Sequence, residues 1–352
     1  MGEMTNSRAT IGAVKRRGVS AAPEAGVVLE HLPGGQLLPL VVRPRVDGIN
    51  LAAWAGANGE IIEQNLLRHG AILFRSFALG SIDDFEQVAV SISGELAEYR
   101  FRASPRTTVK DRIYTSTDYP PSESIFPHNE HAYSPVFPLR LYFYCDIPAQ
   151  KGGETPIGDT RKIFARIPPA IRERFREKGI LYVRNYGDGM GLPWQTVFQS
   201  EDPAGVGEYC RKHGIDFEWK SEGRLRTRQV GPAIMHHPRT GEELWFNHGT
   251  FFHVSTLPAA VRDSLRMQFA DDDLPNQTFY GDGSPIEPEV LDILRAAYRD
   301  EMVSFSWQRH DLLLLDNMLA VHARAPYEGE RRVVVAMAEP VAGKDLAASP
   351  PV

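Results

Sequence analysis

Cysteine is scarce in this chain. There are two among 352 residues, Cys145 and Cys210, and neither belongs to a CxxC pair. That spacing excludes a disulfide framework and a cysteine-ligated zinc site, and it suits reduced thiols in a cytoplasm. No apolar run approaches the roughly 18 residues of a membrane span. The basic triplet Lys15, Arg16 and Arg17 is followed by Gly18 to Gly26 without an apolar core, so no signal peptide is expected. Positive charge is not in excess: 39 Lys and Arg stand against 45 Asp and Glu, for a net charge of −6. A general binder of nucleic acid or of anionic membranes needs clustered positive charge, so neither partner is expected. No repeat recurs at a fixed period. Strand patterns also fail to alternate regularly with helix patterns, which argues against a doubly wound parallel sheet.

Apolar residues, by contrast, are plentiful at 42% of the chain. At this length a compact chain buries roughly 75% of its unfolded surface and needs no staples. Residues 1–25 are small, polar and basic without periodicity and read as a flexible arm. Residues 341–352 read as a tail. Between them, 26–340 is expected to form one domain, with an insertion between about 160 and 300. Helical stripes fall on Ile61, Ile62, Leu66 and Leu67, on Asp84 to Ile92, on Ile167 to Lys178, and on Leu291 to Tyr298, where Pro288 suits a first turn. Strand candidates are Ala71–Phe77, Phe137–Cys145, Leu181–Tyr186, Leu225–Val230, Leu244–Asn247, Leu312–Leu315 and Arg332–Ala338. Many short strands punctuated by 30 Gly and 26 Pro predict a mainly β sandwich or jelly roll with helices packed outside it.

Three stretches carry potential chemistry. In Phe126-Pro127-His128-Asn129-Glu130-His131, an extended backbone would turn His128 and Glu130 to one face and Asn129 and His131 to the other. An imidazole and a carboxylate so placed can take adjacent positions on a metal, although such triplets also arise by chance. In Leu315-Asp316-Asn317-Met318-Leu319-Ala320-Val321-His322, a lone histidine sits in an apolar strand, as a ligand or as a satisfied core residue. Arg331 and Arg332 then open the strand Val333–Met337. An arginine there is costly without an anionic partner, which a bound dicarboxylate would supply through a bidentate fork. The turn Gly152-Gly153-Glu154-Thr155-Pro156 could aim the Thr155 hydroxyl into the same pocket.

These stretches, with LPWQTVFQ, LWFNHGTFFH, YGDGSPI and LLLLDNMLAVHARAPYEGERRVVVAM, resemble the taurine dioxygenase/clavaminate synthase-like superfamily of Fe(II)/2-oxoglutarate-dependent dioxygenases. Within it they are similar to the SyrP-like branch of aspartyl hydroxylases. The likeness runs from about residue 70 to 339. It implies a double-stranded β-helix core and the cofactors Fe(II), 2-oxoglutarate and O2. Carried over by motif, the metal triad falls on His128, Glu130 and His322. The arginine that grips 2-oxoglutarate falls on Arg332, with Arg331 as the alternative one residue away, and Thr155 assists it.

Oxidative decarboxylation of the co-substrate would then be coupled to oxidation of a substrate C–H, by hydroxylation or alternatively by desaturation, epoxidation or cyclisation. Glu130 fills the position that halogenases keep small for chloride, which argues against halogenation. The resemblance points to an amino-acid-like substrate, free or on an aminoacyl carrier protein, in specialised metabolism such as antibiotic biosynthesis. Substrate candidates are Arg102, Arg106, Arg324 and Trp194. Asn247, Asp316 and Asn317 are candidates to hydrogen-bond the ligating histidines. Two other readings compete: a His2Glu zinc hydrolase, which has no use for Arg332 or Thr155, and a non-catalytic jelly-roll binding protein.

Overall fold

The computed structural model describes residues 26–98, 106–187 and 192–347. The expected arm and Arg102 lie outside the described residues.

Eight strands form one sheet in the order Val27–Leu32, Gln36–Pro44, Ala71–Phe74, Leu312–Asp316, Val136–Ile147, Arg332–Ala342, Ile113–Thr115 and Thr108–Lys110. The long strand Val136–Ile147 is its centre, paired on both sides with antiparallel neighbours. Period-two alternation gives its side chains two destinations. Leu141, Phe143 and Cys145 meet Leu313, Leu315, Val333, Val335 and Met337 on one face. Tyr142 and Tyr144 meet Leu312, Leu314, Val334 and Ala336 on the other. Both faces are buried, which is why Leu312–Leu315 is an unbroken apolar run.

Three helices, Leu51–Ala57, Gly59–His69 and Ile82–Ser93, cover the second face. The last begins where the Ser81 hydroxyl accepts from the Asp84 N–H, and it buries Phe85, Val88 and Ala89. Each fully buried Leu, Phe or Val side chain contributes about 1.5–3 kcal/mol. Arg140 projects toward the same side but is 1% exposed. Its guanidinium bonds Asp316, lies 2.7 Å from Glu63 and is joined to Glu339. His237 Nδ1 accepts from the backbone of Arg239 and Thr240, so Nε2 carries the proton and donates to Asp316 at 3.1 Å. Removing one member of such a buried set costs about 3–5 kcal/mol, because a charge is left unpaired.

Against the first face lies a three-stranded sheet, Ile125–His128, Ala320–Arg324 and Ile157–Asp159. Ile157 and Ala320 pack into the same core as Leu313 and Leu315, so the two sheets form the jelly-roll sandwich. Between Ile157–Asp159 and Leu312–Asp316 the chain builds helices and a four-stranded sheet, Asp216–Trp219, Leu225–Gly231, Ile180–Tyr186 and Asn276–Tyr280. The final long strand continues to Ala342, past the expected start of the tail at 341, because Pro340, Val341 and Ala342 still pair with Pro138, Phe137 and Val136. Among the described residues no helix is long and apolar enough to cross a membrane.

Candidate active site

The smaller sheet brings the two distant histidines together. His128 and His322 are direct cross-strand partners, and their ring centroids lie 4.4 Å apart. His128 Nδ1 is 2.9 Å from the Phe126 carbonyl oxygen. A carbonyl only accepts, so Nδ1 carries the proton and Nε2 is left as a bare donor atom. Phe251 stacks on the His128 ring at 4.5 Å, and Phe143 sits 5.1 Å from the His322 ring.

Glu130 arrives by a different route than simple strand alternation. The strand ends at His128, and a turn follows with His131 in the left-handed region at φ 58°. Asn317 holds that turn: its Oδ1 accepts from the Glu130 N–H at 2.7 Å, and its Nδ2 donates to the carbonyls of Glu130 at 2.9 Å and Pro138 at 2.8 Å. Asn129 Nδ2 donates to the Asn317 carbonyl at 2.6 Å. His131 was expected to point away, yet its Nε2 lies 3.6 Å from Glu130 Oε1, since the turn folds the ring back.

One ligand atom from each of His128, Glu130 and His322 lies within 4.8 Å of the others, and all three residues are buried. Burial disfavours the protonated imidazole, so it lowers the pKa of His128 and sends that of His322 well down. Burial would raise the Glu130 carboxyl, but Arg106 at 2.7 Å, with the neighbouring histidines, holds it down to about 2. Neutral imidazoles and an ionised carboxylate are the protonation states a metal requires. Two nitrogens and one oxygen on one side suit a ferrous ion and leave positions for other ligands. The donor chemistry and the bare His128 Nε2 therefore fit the metal that the resemblance implies.

A cavity opens beside the triad, lined by His128, His322, Phe143, Thr155, Arg324 and Arg331 among others. Here one expectation is corrected. Arg331, not Arg332, faces the cavity. Arg331 precedes the strand Arg332–Ala342, whose pairing with Val136–Ile147 shifts register between Arg332 and Val333, and its side chain is turned toward Gly153, Ser116 and Thr155. Arg332 points the other way, is 45% exposed at its side chain and pairs with Asp146 at 3.1 Å. Arg331 Nε donates to the Gly153 carbonyl at 2.8 Å, and its Nη atoms reach Ser116 Oγ at 3.2 Å and Thr155 Oγ1 at 3.5 Å. The double glycine makes this approach possible. A Cβ on Gly153 would meet Arg331 Cδ at 3.0 Å, and one on Gly152 would strike the Pro326 carbonyl oxygen at 2.3 Å. Burial, then the charge of Arg324, pushes the Arg331 guanidinium down to about 10, still cationic at neutral pH. None of its hydrogen-bond partners among the described residues is an acid.

The remaining candidates divide. Arg106 lines the cavity at its metal end. Arg324 also lines it, but its guanidinium donates to the carbonyls of Thr117, Tyr119, Pro120 and Glu123 and so pins the loop over the site. Trp194 lies in the core of the inserted region, its Nε1 donating to the Gly223 carbonyl at 3.0 Å, because it packs against Trp219. Asn317 bonds the backbone of Glu130 rather than a histidine. Asp316 caps Met318 and Leu319 and joins Arg140, and Asn247 braces Ala233 and Gly249, so neither reaches a ligand ring. Ser116 and Trp307 carry no signal in the sequence, since only tertiary contacts bring them here, and Phe251 appears there only within the stretch LWFNHGTFFH.

Comparison with known proteins agrees with this geometry. Residues 33–337 match the family described as taurine catabolism dioxygenase TauD, TfdA family. The chain is 39% identical over 311 residues to the dapdiamide synthesis protein DdaC of Enterobacter agglomerans, covering 85% of this chain and 94% of that one. It is 30% identical over 287 residues to a clavaminate synthase-like protein of Arabidopsis thaliana, covering 78% and 83%. Its fold is similar to that of the solved PvcB protein from Pseudomonas aeruginosa, with a TM-score of 0.53 at 16% identity over 96% of this chain and 98% of that chain. With its buried two-histidine, one-carboxylate cluster, this chain belongs to the TauD/TfdA family and is an enzyme of the Fe(II)/2-oxoglutarate-dependent oxygenase type.

Proposed function

We propose that the enzyme hydroxylates an unactivated C–H of an amino-acid-derived substrate, with His128, Glu130 and His322 holding Fe(II) and with Arg331 and Thr155 holding the distal carboxylate of 2-oxoglutarate. One observation carries the reading. The two histidines of the His2Glu cluster and the Arg331 guanidinium, whose hydrogen-bond partners among the described residues include no acid, line one cavity. A zinc hydrolase has no use for that half-buried cation, and a binding protein has no use for the triad. The bound cofactors would supply oxidation of a C–H bond coupled to decarboxylation of 2-oxoglutarate to succinate.

The chain's own residues do the positioning. Asn317 fixes the backbone of Glu130, the Phe126 carbonyl fixes the tautomer of His128, and Phe251 and Phe143 keep water from the imidazoles. Arg331 offers a charge-assisted anchor worth about 1.5–3 kcal/mol. Arg106, at the metal end, is the arginine we assign to a substrate carboxylate. The relationship to a dapdiamide synthesis protein supports a place in specialised-metabolite biosynthesis, and the motif order supports placement near the SyrP-like aspartyl hydroxylases.

The test is to load the protein with Fe(II) anaerobically, add 2-oxoglutarate, oxygen and a panel of free and carrier-bound amino acids, and follow succinate and product mass. An added oxygen atom coupled to succinate is expected. Loss of two hydrogens instead would assign desaturation or cyclisation, and no substrate-dependent succinate with any panel member would remove the amino-acid assignment.

A further inference from the structure

Trp307 lies in the segment that leads into the strand Leu312–Asp316, 9% exposed and packed edge-on against Phe305 at 5.1 Å. Its indole N–H donates to Thr155 Oγ1 at 3.1 Å in a buried contact. An indole nitrogen can only donate. Arg331 Nη2, also only a donor, approaches the same oxygen at 3.5 Å. A hydroxyl oxygen that accepts from both must send its own proton elsewhere, and Thr155 lines the cavity. Ser116 is placed in the same way, because its Oγ accepts from Arg331 Nη1 at 3.2 Å and it too lines the cavity. This end of the cavity is thus set to offer protons. An ionised carboxylate is an acceptor-only group and is the complementary ligand.

The geometry assigns Trp307 as the positioning residue that fixes Thr155 as a hydrogen-bond donor to the distal carboxylate of 2-oxoglutarate, with Ser116 as a second hydroxyl donor to the same group. This assignment rests on the co-substrate reading above. Without the indole, the Thr155 hydroxyl can rotate to donate elsewhere, and the carboxylate loses a pre-oriented partner.

The test is a double-mutant cycle on 2-oxoglutarate affinity, measured by visible absorption of the anaerobic Fe(II)-loaded protein. Trp307→Phe keeps the ring and removes the N–H. With Thr155 present it should weaken 2-oxoglutarate binding about 3- to 10-fold and leave Fe(II) affinity unchanged. In a Thr155→Val background the same substitution should change affinity less than about twofold, and in Thr155→Ser the coupling should return. Equal losses in all three backgrounds, or no loss in any, would overturn the assignment, since Trp307 would then act by packing or not at all. Wild-type protein that binds Fe(II) but not 2-oxoglutarate would instead overturn the co-substrate reading, and the assignment with it.

Should Trp307→Phe fail to fold, 15N-tryptophan NMR replaces it. An indole N–H signal should move in Thr155→Val and stay in place in Thr155→Ser, whereas no movement in the valine variant would overturn the hydrogen bond.

Discussion

The two ends of the cavity solve opposite electrostatic problems. At the metal end, Glu130 is ionised, Arg106 stands against it at 2.7 Å and both ligating imidazoles are neutral. Charge is locally balanced, and the geometry is enforced by backbone: a cross-strand register and an asparagine clamped to a turn. At the other end a half-buried guanidinium faces two hydroxyls and a carbonyl, with no acid among those partners. A cation drawn partly out of water without a counter-ion is stabilised when a ligand supplies one. The first end is built to receive a cation through neutral nitrogens, and the second to receive an anion.

The comparison can be broken at either end. The largest effect is expected at the metal end. His322→Ala or His128→Ala should abolish Fe(II) binding and turnover, checked by metal content and succinate yield, and retained activity would remove that residue from the site. Next in size is the guanidinium end. Arg331→Gln should weaken 2-oxoglutarate about 10- to 150-fold, the equivalent of about 1.5–3 kcal/mol, with little change in Fe(II) affinity. Arg332→Gln should change neither by more than about twofold, because it breaks only a half-exposed pair with Asp146. A damaging Arg332→Gln would contradict the placement of Arg331, rather than Arg332, in the cavity wall. Asn317→Ala should reduce Fe(II) affinity about 10-fold or more by loosening Glu130 and should leave 2-oxoglutarate contacts intact once metal is saturating.

The smallest effect is on stability with pH. Burial holds His248 down to about 3 and His253 down to about 4, both below the ordinary histidine value near 6.5. The unfolded chain therefore binds protons first, and stability falls as pH drops through about 6.5 toward those values. Thermal unfolding of metal-free protein between pH 7 and pH 4 should show a falling Tm, and a flat profile would contradict the burial of these rings.

Much of this was legible in the sequence, unevenly and for physical reasons. His322 stood out as a lone histidine in an apolar strand, and His128 and Glu130 through their i, i+2 spacing. The central strands stood out because alternation and apolar runs are local signals. Carried by motif, the co-substrate arginine fell on Arg332 with Arg331 as its alternative, whereas Arg331 is the one that lines the cavity. Strand parity does not settle the choice, because the pairing shifts register between Arg332 and Val333, and only the contacts of Arg331 with Gly153, Ser116 and Thr155 do so. The route to Glu130 was misread as plain extension, because the turn depends on Asn317, which is remote in sequence. Arg324 looked like a substrate arginine, yet four backbone carbonyls of a single loop claim its guanidinium. Trp307 gave no signal at all, because its partner Thr155 is met only across the folded core.

The most direct measurement of the two-ended cavity is an anaerobic titration of Fe(II)-loaded protein with 2-oxoglutarate, followed by visible absorption. The account requires one saturable site per chain, lost in His322→Ala and markedly weakened in Arg331→Gln. A protein that takes up Fe(II) with no spectral response to 2-oxoglutarate, or whose response ignores Arg331, would contradict it.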